Sequence, residues 1–141
     1  MDALELLKTD HKTVKELFKK AEGSENKKQQ LQLFEKIKTE LETHTHIEET
    51  VFYPAVAKNE ELKDMVLESL EEHKQVKTLL PDSAKFDPKL KVLMENVEHH
   101  AEEEEEGEMF PKIRKLMNAA ALEQLGQELE AAKNKEVRKA S

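Results

Sequence analysis

The chain has 141 residues, 31 acidic against 23 basic side chains, a net charge of −8 and no cysteine. That length suits one domain with a real core, the charge opposes a nucleic-acid partner, and the absence of thiols excludes a disulfide frame, a thiolate metal site and a thiol nucleophile. Only 3 Gly, 4 Pro and 4% aromatic residues, beside abundant Leu, Lys and Glu, predict an all-α fold. No apolar run approaches the roughly 20 residues of a membrane span, and the start lacks a basic segment followed by an apolar one. A soluble, cytoplasmic protein with no membrane partner is therefore expected.

A first helix is predicted over about residues 2–21, because Leu4, Leu7, His11, Val14 and Phe18 recur at three and four along one stripe. Gly23 is placed to end it in a left-handed conformation and Ser24 to cap its successor. The second helix carries Phe34, Ile37, Leu41, His44, Glu48, Val51 and Ala55 on one face. His44 and Glu48 lie one turn apart on that face, while His46, about 200° round from His44, faces solvent. Pro54 falls inside this pattern and should kink or loosen the helix.

A third helix is expected after Asn59, with Leu62, Val66, Leu70, His73, Val76 and Leu80 inside and Pro81 ending it. From Pro81 to Pro88 the chain is turn-rich, with Asp87 as N-cap and Pro88 in the first helical position. The fourth helix opens with Leu90, Leu93, Val97 and His100, but its apolar stripe resumes one residue out of step at Met109, Ile113 and Leu116. Leu122, Leu125 and Leu129 suggest a short fifth helix from Ala119, and residues 133–141 a solvated tail. The expected division is a bundle over 1–118 and a C-terminal helix with polar tail over 119–141.

Two segments share a grammar. His44 runs through Glu48-Glu49 to Tyr53-Pro54, and His100 runs through Glu102–Glu106 to Phe110-Pro111. Counted forward from His100, Glu104 matches Glu48; counted back from the aromatic-Pro pair, Glu105 does. Glu105 lies about 140° from His100 on a regular helix, so its use requires a π-bulge; both stay candidates. Most of the glutamate run must face water in any case.

Four helices thus each place one histidine on the inner stripe: His11, His44, His73 and His100. Together with at least two inward carboxylates they would be costly to bury unless a cation neutralises them. Imidazole and carboxylate donors suit Fe, Zn, Mn or Cu. Four imidazoles and two carboxylates are too many for one tetrahedral ion and fit two ions with open positions.

These residues resemble the hemerythrin-like (HHE cation-binding) family through Asp10-His11, His44-x-x-x-Glu48-Glu49-x-x-Phe52-Tyr53-Pro54, Glu72-His73 and His99-His100 leading to Met109-Phe110-Pro111. The resemblance spans about residues 4–117. It implies an up-and-down antiparallel four-helix bundle, here with a short additional C-terminal helix. It also implies a non-haem di-iron centre, oxo- or hydroxo-bridged and carboxylate-bridged by Glu48 and by Glu104 or Glu105. His11 and His44 would then hold one iron, and His73 and His100 the other. Two departures stand out: Lys77 occupies the place of the fifth histidine of the oxygen carriers, and the fourth helix has one residue more than the family spacing. The function implied is binding of O₂, peroxide or NO for oxygen storage, sensing or detoxification, by a monomer or weak homo-oligomer. The alternatives are a catalase- or peroxidase-like enzyme that decomposes hydroperoxide and an iron storage or sensing domain.

Overall fold

The computed structural model describes residues 1–83 and 87–140. Helix α1 is Ala3–Gly23, capped by Asp2, whose side chain accepts from the Glu5 N–H while the Glu5 carboxylate reaches back to the Asp2 N–H. Helix α2 is Lys27–Ile47, capped by Asn26 rather than Ser24; the Asn26 side chain accepts from the N–H groups of Lys28 and Gln29. Gly23 closes α1 without adopting positive φ, so the turn needs no left-handed residue.

A π-helical turn, Glu48–Phe52, continues α2 into the short helix α3, Tyr53–Val56. The expected disturbance at Pro54 therefore appears as a widened turn. Proline brings no N–H to the ladder, and the Tyr53 N–H closes instead on the Glu48 carbonyl, five residues back. Asn59 caps a 3₁₀ turn, Glu60–Leu62, that leads into α4, Lys63–Ser83. Pro81 lies inside α4 rather than ending it. The rest of the expected 81–88 connection, residues 84–86, lies outside the described residues, as does the side chain of the expected cap Asp87.

Helix α5, Asp87–Glu98, runs into a π-helical segment, His99–Met109, and then α6, Phe110–Leu116. Here again the residue before a proline, Phe110, donates its N–H to a carbonyl five residues back, that of Glu105. The extra residue in this helix is taken up by the π segment, which is why the apolar stripe slips by one. Among the described residues there is no strand, and these rods, joined by short links, form an up-and-down helical bundle.

Helix α7, Ala119–Ala140, is much longer than expected and takes residues 133–140, read as a tail, into the helix. It packs on α1 and α2. Leu122, Leu125 and Leu129 are 0–3% exposed there. Gly126 lets the helix pass the chain start, since a Cβ at that position would lie 2.5 Å from the Met1 carbonyl oxygen.

The apolar core has two parts. One joins Leu4, Leu7, Ile47, Phe52, Val56, Leu62, Phe110 and Ile113 with the α7 leucines; the other joins Val14, Phe18, Phe34, Ile37, Leu41, Val76, Leu80 and Leu93. The polar residues of interest lie at the waist between them. No helix among the described residues is long and apolar enough to cross a membrane.

Candidate metal centre

The apolar stripes on either side force the imidazoles of His11, His44, His73 and His100 inward. His11, His44, Glu48 and Glu105 present donor atoms within 4.8 Å of one another, and Glu48, His73 and His100 do the same. The Nε2 atoms of His73 and His100 are 3.0 Å apart. Two donors about 2.1 Å from one ion at a right angle have that separation. Glu48 Oε1 lies 3.2 Å from His44 Nε2 and 3.1 Å from His73 Nε2. Glu105 Oε1 lies 3.2 Å from His11 Nε2 and 3.3 Å from His100 Nε2. Each carboxylate therefore touches one ring of each pair, and both are 0% exposed.

Glu105, not Glu104, completes the set. The π segment turns the fifth residue after His100 back onto the inner face, whereas Glu104 turns outward to the half-exposed His99, 3.2 Å from its Nε2. Glu104 belongs with Glu72 and His99 to an outer group on the surface.

The outer edges of the imidazoles are held as well. His44 Nδ1 is 3.1 Å from Asp10, His73 Nδ1 is 2.8 Å from Glu49, His100 Nδ1 is 2.6 Å from Glu72, and His11 Nδ1 is 2.7 Å from Glu106. Every one of these carboxylates adjoins an inner residue of its own helix and reaches the histidine of the next, closing a ring from α1 to α2, α4, the second π segment and back to α1. Adjacent residues on a helix point about 100° apart, so one faces the centre and its neighbour the adjoining helix. Such carboxylates fix the tautomer and leave Nε2 free for a cation. None of these four carboxylates was read from the sequence as an orienting partner, although each stands next to a candidate ligand.

Tyr53 is the other inner group. Its hydroxyl donates to Glu105 Oε2 at 3.0 Å and lies 3.3 and 3.2 Å from Nε2 of His73 and His100. At the corresponding place beside His11 stands Phe110, stacked at 6.2 Å and without an oxygen. The two halves thus differ by one phenol. Lys77 does not enter the centre; its Nζ reaches both oxygens of Glu49 at 3.0 Å.

Several atoms here lack any hydrogen-bonding partner: Nε2 of His11 and of His44, both oxygens of Glu48, and Oε1 of Glu105. Buried polar atoms of this kind are rare and costly, and all five belong to His11, His44, Glu48 and Glu105, which form one of the donor groups. In the metal-free protein protons stand in. Burial opposes charge on His100, but the Glu105 charge, the Glu72 hydrogen bond and Glu48 outweigh it and raise its pKa to about 9. His44 is raised by Glu48 and Asp10 against burial, and Glu105 is raised by burial and by Glu48. Burial together with the charges of Glu105 and Glu48 pushes the Tyr53 phenol well up, so it stays protonated.

A pH signature follows for the metal-free protein. A histidine at 6.5 when unfolded and about 9 when folded adds stability that is complete below pH 6.5 and lost as the pH rises to 9. The melting temperature of chelated protein should fall across that window, and cation loading, which displaces the protons, should remove the fall. A metal-free melting temperature that rises from pH 6.5 to 9 would contradict this geometry.

A helical bundle that gathers four carboxylate-backed imidazoles and two shared carboxylates around unpartnered donor atoms is a cation-binding bundle. The hemerythrin HHE cation-binding domain family matches residues 2–113, and the chain belongs to that family. The crystal structure of a hemerythrin HHE cation-binding domain-containing protein from Mycobacterium kansasii superposes with a TM-score of 0.85 at 26% identity, over 96% of this chain and 87% of that one. A DNA nickase from Nostoc sp. is 28% identical across 96% of this chain but only 40% of its own length, so the chain spans less than half of that relative.

Proposed function

We propose that the centre holds two iron ions and binds one small oxidant, O₂, NO or hydrogen peroxide. The observation that carries this is a cavity of about 30 Å³ lined by all four histidines with Val14, Leu41, Val76, Val97 and Ala101. A cavity of that size suits a ligand of a few atoms, O₂, NO or hydrogen peroxide, better than a bulky organic hydroperoxide. Iron, when bound, would supply the electrons that such an oxidant accepts. The chain's own part is to hold Nε2 of each histidine inward through the outer carboxylates, to keep water out with the valines and Leu41, and to hold a proton at Tyr53 Oη.

Anaerobic addition of ferrous iron followed by air should give two irons per chain and a charge-transfer band in the near ultraviolet. Binding of fewer than two irons, or a spectrum unaltered by air, would sink the proposal.

Tyr53 favours a second reading, decomposition of peroxide by 2 H₂O₂ → 2 H₂O + O₂, because a phenolic proton stands beside one histidine pair. Steady oxygen evolution that drops in Tyr53→Phe with iron content unchanged would support it; bleaching without turnover would exclude it. The charge of −8 opposes a phosphate backbone, so nicking of DNA is not carried over to this chain.

A further inference from the structure

We infer that Lys133, on the C-terminal helix beyond the family match, is a positioning residue for the metal centre, acting on His44 through Asp10. Lys133 Nζ lies 2.5 Å from Asp10 Oδ1, and the other oxygen of that carboxylate is 3.1 Å from His44 Nδ1. Asp10 differs from the three other outer carboxylates in its burial: its side chain is 4% exposed, against 26% for Glu49, 23% for Glu72 and 29% for Glu106. Those three can be solvated from the surface. Asp10 cannot, and a buried carboxylate without a compensating cation is costly or turns away from its site.

The lysine is supplied by α7, whose leucines fasten it to α1. A second tie between α7 and α2, His46 Nε2 to Glu136 at 3.2 Å, touches no member of the centre. The two ties separate positioning from docking. Removing an outer partner of a metal-bound histidine costs about 10–100-fold in affinity, and Lys133 is one step further out, so a loss of about tenfold is expected. It should fall on the ion held by His11 and His44.

This inference rests on the two-iron reading, and its test is ferrous iron competed against a chromophoric chelator in the 141-residue chain, under anaerobic conditions. Lys133→Met should weaken one of the two ions about tenfold, Lys133→Arg should restore it, and Glu136→Gln should change neither. In an Asp10→Asn background, Lys133→Met should have no further effect, since there is no charge left to offset. Affinities within twofold of native in Lys133→Met, an equal loss in Glu136→Gln, or a full effect that persists in Asp10→Asn would each overturn the assignment. If Lys133→Met alone does not fold, the double variant decides. Folding with the ion affinities of Asp10→Asn supports the pairing, and failure to fold overturns it, because Lys133 would then hold α7 independently of Asp10. A native chain that binds no ferrous iron would sink the two-iron reading and this inference together; a native chain that binds two ions with Lys133→Met indifferent sinks this inference alone.

Discussion

On the two-iron reading, Glu48→Gln is expected to leave at most one tightly held ion per chain in place of two. One oxygen of Glu48 lies 3.2 Å from His44 and 3.1 Å from His73, so a single carboxylate serves both histidine pairs. Gln keeps the shape but removes one of the two shared negative charges, leaving Glu105 alone to offset the repulsion that two bound cations would have. The loss should exceed the roughly 10–100-fold that removal of an outer partner causes. Far-ultraviolet circular dichroism should stay helical, because the two apolar clusters on either side of the waist are untouched. Glu104→Gln is the matched control and should retain both ions, since that side chain pairs with His99 on the surface. Iron analysis of desalted protein after anaerobic loading reads the result, and two ions held by Glu48→Gln at native affinity would refute the shared role.

Stripping the metal should lower the melting temperature by on the order of 10 °C while leaving the protein folded. Binding to the native state alone adds about 4 kcal/mol when free metal stands a thousandfold above its dissociation constant, and a domain near this length shifts by about 2–4 °C per kcal/mol. The structural source is the set of buried atoms at the waist without hydrogen-bonding partners, which only protons or cations can neutralise. Residual stability in the chelated protein comes from Phe18, Ile37 and Leu93 on one side and Leu4, Phe52 and Ile113 on the other, all 0% exposed. Scanning calorimetry with and without chelator decides it. Equal melting temperatures would mean that the donors find other partners in solution.

The inner ends of the helices were readable because burial imposes a period that polar residues seldom break. A histidine at each of positions 11, 44, 73 and 100 in an otherwise apolar stripe can be seen from spacing alone, and so can Glu48 one turn after His44. The ambiguity between Glu104 and Glu105 had a physical origin. Their sequence positions differ by one, and only the hydrogen-bond pattern upstream of Pro111 determines which of them the helix turns inward. Tyr53 stood in plain view in its aromatic-Pro pair, but its hydroxyl gained its place beside His73 and His100 from the packing of three separate helices.

The sequence by itself determined the all-α class, the four inward imidazoles and the donor chemistry, since each of these depends on residue type and helical period within one segment. The tertiary structure alone decided that Glu105 faces the centre, that Asp10, Glu49, Glu72 and Glu106 each orient the histidine of a neighbouring helix, and that Lys133 on α7 reaches Asp10. Those pairings join residues 24 to 123 positions apart. A distance of that kind is set by how helices pack against one another, and no local period records it.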